Sequence, residues 1–280
     1  MPQETCATLL TLHILDSRPL VETLTIYLSQ RTRTLNALLA KAPDTPEFSN
    51  NPLVNGSPPG AQKPSERTKN LSATTGAMAL KNSTRTTLEA ISRTLSTARA
   101  VFGTCPSMRS LATDVLDSIQ SEPSSSPPAN VPVELLLNTQ AILNSLPSST
   151  YVSLLPANIR AYRPFVDLTS VSSSLSQETL HDKLGSWFSQ SMANLRGAFD
   201  KWLASLDVVS AVWKVRISLR KWVGHSGLEE HEIANLTELL DKVFSTRITD
   251  IRKTVLVRAE KEFLQALASL GSDNKGAKAV

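Results

Sequence analysis

The residues whose types and spacing come closest to a catalytic motif form one string, HSGLEEH, at positions 225–231. Zinc peptidases bind their metal through two histidines four residues apart on one helix face, with a glutamate as general base. Here His225 and His231 are six residues apart, and the reversed form of the motif would need a histidine where Gly227 stands. The string therefore favours a helix break followed by acidic residues in the first turn of the next helix, where they oppose the positive end of its dipole. A metal-dependent hydrolase around these histidines is the least favoured alternative.

Other signals for catalysis are few. The sequence has neither a glycine-rich phosphate loop nor a GxSxG nucleophile turn. Cys6 and Cys105 are far apart and form no CxxC pair, which argues against a disulfide framework or a zinc module and fits a reducing, cytosolic compartment. His13 and His181 are isolated on helical patterns, and we interpret them as half-buried or solvated side chains. We therefore expect no enzymatic activity, no metal and no cofactor.

One stretch, WKVRISLRKW at 213–222, combines basic and aromatic residues, and no acidic residue occurs between Asp207 and Glu229. Its four cations are Lys214, Arg216, Arg220 and Lys221. On a helix they would form a positive stripe able to contact anionic lipid head groups or an acidic partner. We favour the interpretation that Trp213, Ile217 and Leu219 continue a packing face and that the cations are its solvated side. Contact with a membrane surface stays open as the alternative. With a net charge of only +4 and no second basic stripe, we expect no nucleic acid.

The elements that must position these residues are helices. The 280 residues are 41% apolar but only 5% aromatic, with just 10 glycines, a balance that suits helices better than strands and tight hairpins. No run of eighteen apolar residues occurs and no signal peptide is recognisable, so we expect a soluble or peripheral protein. The predicted fold class is all-α, an elongated irregular helical bundle with long amphipathic helices and disordered Pro/Ser-rich inserts.

Proline marks the organisation of the chain, since ten of the 16 prolines lie in 42–75 and 121–132. We expect an N-terminal helical segment at 1–42, a disordered insert at 43–75, a helical segment at 76–120, a linker at 121–132, a long-helix bundle at 133–270 and a frayed tail at 271–280. Apolar spacing predicts helices at 19–39, 84–102, 108–119 and 133–146, and a last helix from Leu228 that ends before Gly271.

The most regular pattern lies at 188–213, where apolar residues alternate at intervals of four and three. This predicted seam consists of Phe188, Met192, Leu195, Phe199, Trp202, Leu206, Val209 and Trp213. Strands cannot produce that period, so we expect one continuous helix that packs along the seam, either within a bundle or against a partner.

Two parts of the sequence resemble a known family. They are residues 10–20 (LTLHILDSRPL) with 27–35 (YLSQRTRTL), and the tryptophan-spaced segment 187–222. Both are similar to subunit 1 of the fungal conserved oligomeric Golgi complex, in the Vps51-related family of tethering subunits. Together they cover under a third of the chain, and they are packing patterns rather than an active-site motif.

The resemblance implies a non-enzymatic scaffold subunit of a multisubunit vesicle tether. Such a subunit lies peripherally on the cytosolic face of the Golgi membrane and acts in intra-Golgi and retrograde protein transport. Its partners would be the other tethering subunits, assembled through helical bundles, and SNARE or Rab proteins. Family members are longer and open with an N-terminal coiled coil, so we expect this chain to be a piece of such a protein, with a face that a missing segment or a sister subunit would cover.

Overall fold

The computed structural model of the chain describes residues 2–41, 66–104, 109–120, 154–160, 167 and 174–276. The regular structure in these ranges is helical throughout, and the predicted all-α class is confirmed. The helices are α1 (Pro2–Leu15), α2 (Leu20–Ala40), α3 (Glu66–Phe102), α4 (Leu111–Gln120), α5 (Ala157–Arg160), α6 (Gln177–Leu203), α7 (Val209–Val223) and α8 (Glu230–Gly276). No helix in these ranges combines the length and the hydrophobicity needed to cross a membrane.

The chain forms two compact units. The first contains Met1–Asn36 and Ala90–Ser191, and the second contains Ala37–Glu89 and Met192–Val280. The candidate surfaces lie in the second unit, while the first accounts for the packing of the N-terminal sequence pattern.

In the first unit, α2 is joined to its neighbours by hydrogen bonds as well as by apolar packing. The indole of Trp187 in α6 donates to the Thr32 hydroxyl at 2.9 Å and to the Leu28 carbonyl at 3.2 Å. Arg31 donates from Nε to the hydroxyl of Thr94 in α3 at 3.0 Å. Leucines at positions 20, 24, 28 and 35 are buried, as the spacing of the predicted helix requires. Leucine packing and the Trp187 indole together fix the position of α2.

The second unit is built around a buried aromatic cluster. Phe199 of α6 is fully buried and makes edge-to-face contacts with Trp202 and with Phe244 of α8, with ring centroids 6.1 and 5.9 Å apart. Edge-to-face geometry is favourable because the positive edge of one ring meets the negative face of the other. Helix α7 packs directly against α8.

The break between α7 and α8 follows the prediction made from the HSGLEEH string. Helix α7 ends at Val223, Gly227 has a φ of +69°, and the first turn of α8 carries Glu230 and Glu232. The buried Glu232 carboxylate accepts a hydrogen bond from the Glu229 backbone N–H at 3.0 Å, the backward half of a capping box. Acidic residues here stabilise a helix start.

Several helix ends differ from those predicted. Helix α3 begins at Glu66, so residues 66–75 belong to a helix although they were predicted to be part of a disordered insert. Helix α4 begins at Leu111 rather than at 108, because the Ser110 hydroxyl caps it by accepting from the Thr113 N–H at 3.1 Å. Helix α8 continues past Gly271 to Gly276, where a frayed tail was predicted, since a single glycine costs only about 1 kcal/mol in a helix. The helix predicted at 133–146 and the linker at 121–132 lie outside the described residues.

Replacing Phe199 with alanine tests the aromatic cluster. Loss of a fully buried ring leaves a cavity, so we expect the free energy of unfolding to fall by about 3 to 5 kcal/mol in a urea titration. Phe263→Ala is the matched control, because Phe263 is 64% exposed and the same change there should cost less than about 0.5 kcal/mol. Equal losses in the two variants would contradict the assignment of Phe199 to the core.

Candidate interaction surfaces

The predicted seam is buried along most of its length but not at its end. Within it, Phe188, Leu195, Phe199, Trp202 and Leu206 are buried, while Met192 and Val209 are partly exposed. Trp213 is 47% exposed. Up to Leu206 the four- and three-residue spacing therefore predicted burial correctly at every position except Met192, and its extension to Trp213 was wrong.

The continuous helix predicted through 188–213 was also wrong, because α6 ends at Leu203 and α7 begins only at Val209. Between them the Leu206 N–H bonds to the Leu203 carbonyl in a tight turn, and Val208 is extended, with φ −114° and ψ 120°. Leu206 nevertheless points into the core. The chain changes direction without losing the buried face.

Arg247 of α8 supplies the physical reason for this break. Its Nη2 donates to the carbonyl oxygens of Ala204 and Leu206 at 2.9 and 2.8 Å, and its Nε donates to the Leu206 oxygen at 3.1 Å. The same Nη2 lies 3.2 Å from Oδ1 of Asp207. Carbonyls that follow a helix end lack intrahelical partners, and a guanidinium with several fixed donors can satisfy two of them at once. Arg247 thus caps the turn that separates α6 from α7.

The cations of the 213–222 stretch divide into two groups. Arg216 donates from Nε and Nη2 to Oδ1 of Asp241 in α8, at 3.0 and 2.9 Å, and its guanidinium lies 4.8 Å from the centre of the Trp213 ring. Arg220 lies 3.4 Å from the other oxygen of Asp241. Lys214 and Lys221 are exposed and make no ion pair within the described part of the chain. Two of the four predicted surface cations therefore help to attach α7 to α8.

The favoured interpretation of this stretch needs a correction. Leu219 is buried, as predicted, but Trp213 and Ile217 are 47% and 53% exposed and do not continue the packing face. The reason is the break after Leu203, which starts a new helix in a new orientation, so that the four- and three-residue register no longer follows the core. What remains is an exposed apolar pair beside exposed lysines.

A second uncovered apolar region lies on α8. Burial ends at Ile251, and every described side chain from Arg252 to Ala268 is exposed. We call the row of apolar residues at four-residue intervals in this part the α8 ridge; it consists of Val255, Ala259, Phe263 and Leu267. Its three large members are each at least half exposed, and Leu256 beside the row is 69% exposed. The helical spacing predicted this apolar face. Only the structure shows that no described part of the chain covers it.

Each histidine of the HSGLEEH string has a contact close by in the sequence. Nδ1 of His225 lies 2.8 Å from the Lys221 carbonyl oxygen, and Nδ1 of His231 lies 3.4 Å from a carboxylate oxygen of Glu229. No group of three or more His, Cys, Asp or Glu side chains among the described residues is arranged to hold a metal ion. His13 is buried against the Arg18 carbonyl, and His181 is exposed.

Cys6 is a core side chain of α1. Burial raises the pKa of its thiol to about 12, so the thiol stays protonated near neutral pH and is a poor nucleophile. Cys105 lies outside the described residues.

Comparison with known proteins identified no relative of this chain. A scan against protein-family models, a search of curated proteins and a search of solved structures each found no match.

Sequence reasoning missed Arg247, which caps the turn before α7, and Asp241, which binds Arg216 and Arg220 of α7. Both occupy positions in the α8 pattern that look like ordinary solvent-facing charges. Their roles depend on contacts with residues 21 to 43 positions earlier in the chain, which no helical period encodes.

The cap on the α6–α7 turn can be tested with Arg247→Met, which keeps most of the side-chain volume but removes the donors. Leaving the Ala204 and Leu206 carbonyls without these donors should lower the free energy of unfolding by about 1 to 3 kcal/mol in a urea titration. Arg252→Met, an identical change at an exposed position five residues further along α8, should leave the midpoint unchanged. An Arg247→Met midpoint equal to that of the wild type would rule out the capping role.

Proposed function

We propose that this chain is a non-enzymatic scaffold subunit of a multisubunit vesicle-tethering complex. It would act peripherally on the cytosolic face of the Golgi membrane, in intra-Golgi and retrograde protein transport, and it would work by binding helices of other tethering subunits. The observation that carries the proposal is the uncovered α8 ridge. SNARE and Rab proteins are further partners that the family resemblance suggests.

The α8 ridge has the form of a helix-packing surface. Residues at four-residue intervals make the row of side chains that enters the groove of a facing helix in the commonest class of helix packing, with axes crossing at about −50° and 8–10 Å apart. The 17 residues from Arg252 to Ala268 extend over about 25 Å of helix. A partner helix with its own apolar four-residue row would fit this surface.

Covering the exposed apolar area of the α8 ridge would be energetically favourable. Fully burying a side chain such as Val, Leu or Phe contributes about 1.5 to 3 kcal/mol. Three such side chains on the ridge, with Leu256 beside them, are at least half exposed. Contiguous apolar surface of this kind typically marks a site of protein or membrane interaction. A partner that covers the ridge would recover this free energy at little conformational cost, because the helix is already formed.

The family resemblance supports the choice of a tether over other helical scaffolds. The residues that carry it, at 10–20, 27–35 and 187–222, include side chains that build the described helices, such as Leu20, Leu28 and Trp187. Such packing patterns suit a family of scaffold subunits, because these proteins work by packing helices against one another.

Affinity purification of the tagged chain from fungal cells tests the proposal. We expect the wild-type chain to co-purify with subunits of a tethering complex, identified by mass spectrometry. Phe263→Asp should lower their recovery at least about tenfold, because a carboxylate buried without a partner in an apolar interface costs well over 1.4 kcal/mol.

The matched control is Gln265→Asp, which introduces the same charge two residues away on the other side of α8. Both positions are exposed, so both variants should unfold at the wild-type urea concentration. Equal recovery with Phe263→Asp and Gln265→Asp would remove the ridge as the binding surface. A dimer of the chain, seen by light scattering and abolished by Phe263→Asp, would show that the ridge pairs with a second copy instead of a sister subunit.

A further inference from the structure

Helix α7 has two opposite faces of different character. Its buried face packs in the second unit through Ala211, Val212, Val215, Leu219 and Val223. Its other side, which we call the α7 outer face, presents Trp213, Lys214, Ile217, Arg220 and Lys221, all of them exposed. At 100° per residue, Trp213 and Ile217 lie at the centre of this face, with Arg220 on one side and the two lysines on the other.

The charges on the α7 outer face are of one sign. No acidic residue occurs in α7 or in the whole interval between Asp207 and Glu229. Asp241 of α8 binds Arg216 closely and Arg220 more loosely, which leaves Lys214 and Lys221 directed at solvent. The Arg216–Asp241 ion pair thus holds α7 in place while the lysines remain available for an external anion.

We propose that the α7 outer face binds the surface of an anionic phospholipid membrane. An exposed indole beside an isoleucine is suited to the boundary between head groups and acyl chains, where Trp places its apolar ring inward and its N–H toward water. Lysines on the flank can extend toward phosphate and carboxylate head groups while their methylene stems cover apolar surface. An anionic lipid surface fits this face because it offers negative head groups to the cations and an apolar layer to the exposed Trp213 and Ile217. This inference is independent of the scaffold proposal, which depends on the α8 ridge.

Vesicle co-sedimentation of the full chain tests this inference. The chain should sediment with vesicles of equimolar phosphatidylcholine and phosphatidylserine and stay in the supernatant with phosphatidylcholine alone. Binding should weaken as the ionic strength rises, because salt screens the lysine charges. Each cation near an anionic surface contributes about fivefold in affinity, so Lys214→Glu/Lys221→Glu should weaken binding by well over tenfold.

A substitution at Trp213 tests the apolar part of the α7 outer face. Trp213→Ser should also weaken binding to the mixed vesicles. Because the side chain lies outside the core, the variant should stay folded, which a urea titration checks. As an independent measurement, tryptophan emission of the wild type should shift to shorter wavelength when mixed vesicles are added. Trp213→Phe should lose that shift although Trp187, Trp202 and Trp222 remain.

The matched control is Lys201→Glu/Lys253→Glu, which changes the net charge equally at exposed positions on α6 and α8. It should bind vesicles like the wild type. The inference is overturned if this control loses as much binding as Lys214→Glu/Lys221→Glu, or if the wild type fails to sediment with mixed vesicles. It is also overturned if soluble polyglutamate binds the chain as tightly as the vesicles do and Trp213→Ser has no effect, since an acidic protein partner would then explain the lysines.

Discussion

The α7 outer face depends on the cap that Arg247 places on the turn between α6 and α7. Its guanidinium satisfies the carbonyls of Ala204 and Leu206, which α6 leaves without partners where it ends. Because the chain turns there, Leu206 still enters the core while Val209 starts a helix in a new direction. Without the turn, Trp213 would follow the seam inward, and the α7 outer face would not exist.

The Arg216–Asp241 pair completes the placement of α7. Arg216 reaches Asp241 with two hydrogen bonds to one oxygen, and its side chain is only 16% exposed, which strengthens the pair relative to a surface ion pair. The same guanidinium stacks near Trp213 and so holds the ring on the solvent side of the helix. One charge interaction thus attaches the inner side of α7 and orients an aromatic ring on its outer side.

How far the sequence predicted this structure depends on the range of the interactions involved. Spacing of leucines and aromatic residues is a local property, and it correctly predicted α2, the all-α class and the burial of Phe188, Leu195, Phe199, Trp202 and Leu206. The break after Leu203 comes instead from Arg247, 41 residues beyond Leu206, and a period cannot register such a contact. For the same reason the sequence could not predict whether another helix covers the α8 ridge. The pattern at Val255, Ala259, Phe263 and Leu267 is typical of a packing face whether or not a neighbour is present. Periodicity therefore predicts which face of a helix is apolar but not what lies against it.

The two uncovered regions differ in a way that favours different partners. On the α8 ridge the apolar row runs along a helix whose flanks carry both signs, with Arg258 and Glu262 on one side and Lys253 and Glu260 on the other. Mixed flanks suit another helix, which can match each charge with its opposite and thereby fix register and direction. On the α7 outer face the flanks are only cationic, so their charges cannot fix the register of a facing helix. Attraction to any dense anionic surface is the main electrostatic effect there. A chain that bound protein helices with one region and a lipid surface with the other would place its partners at a membrane.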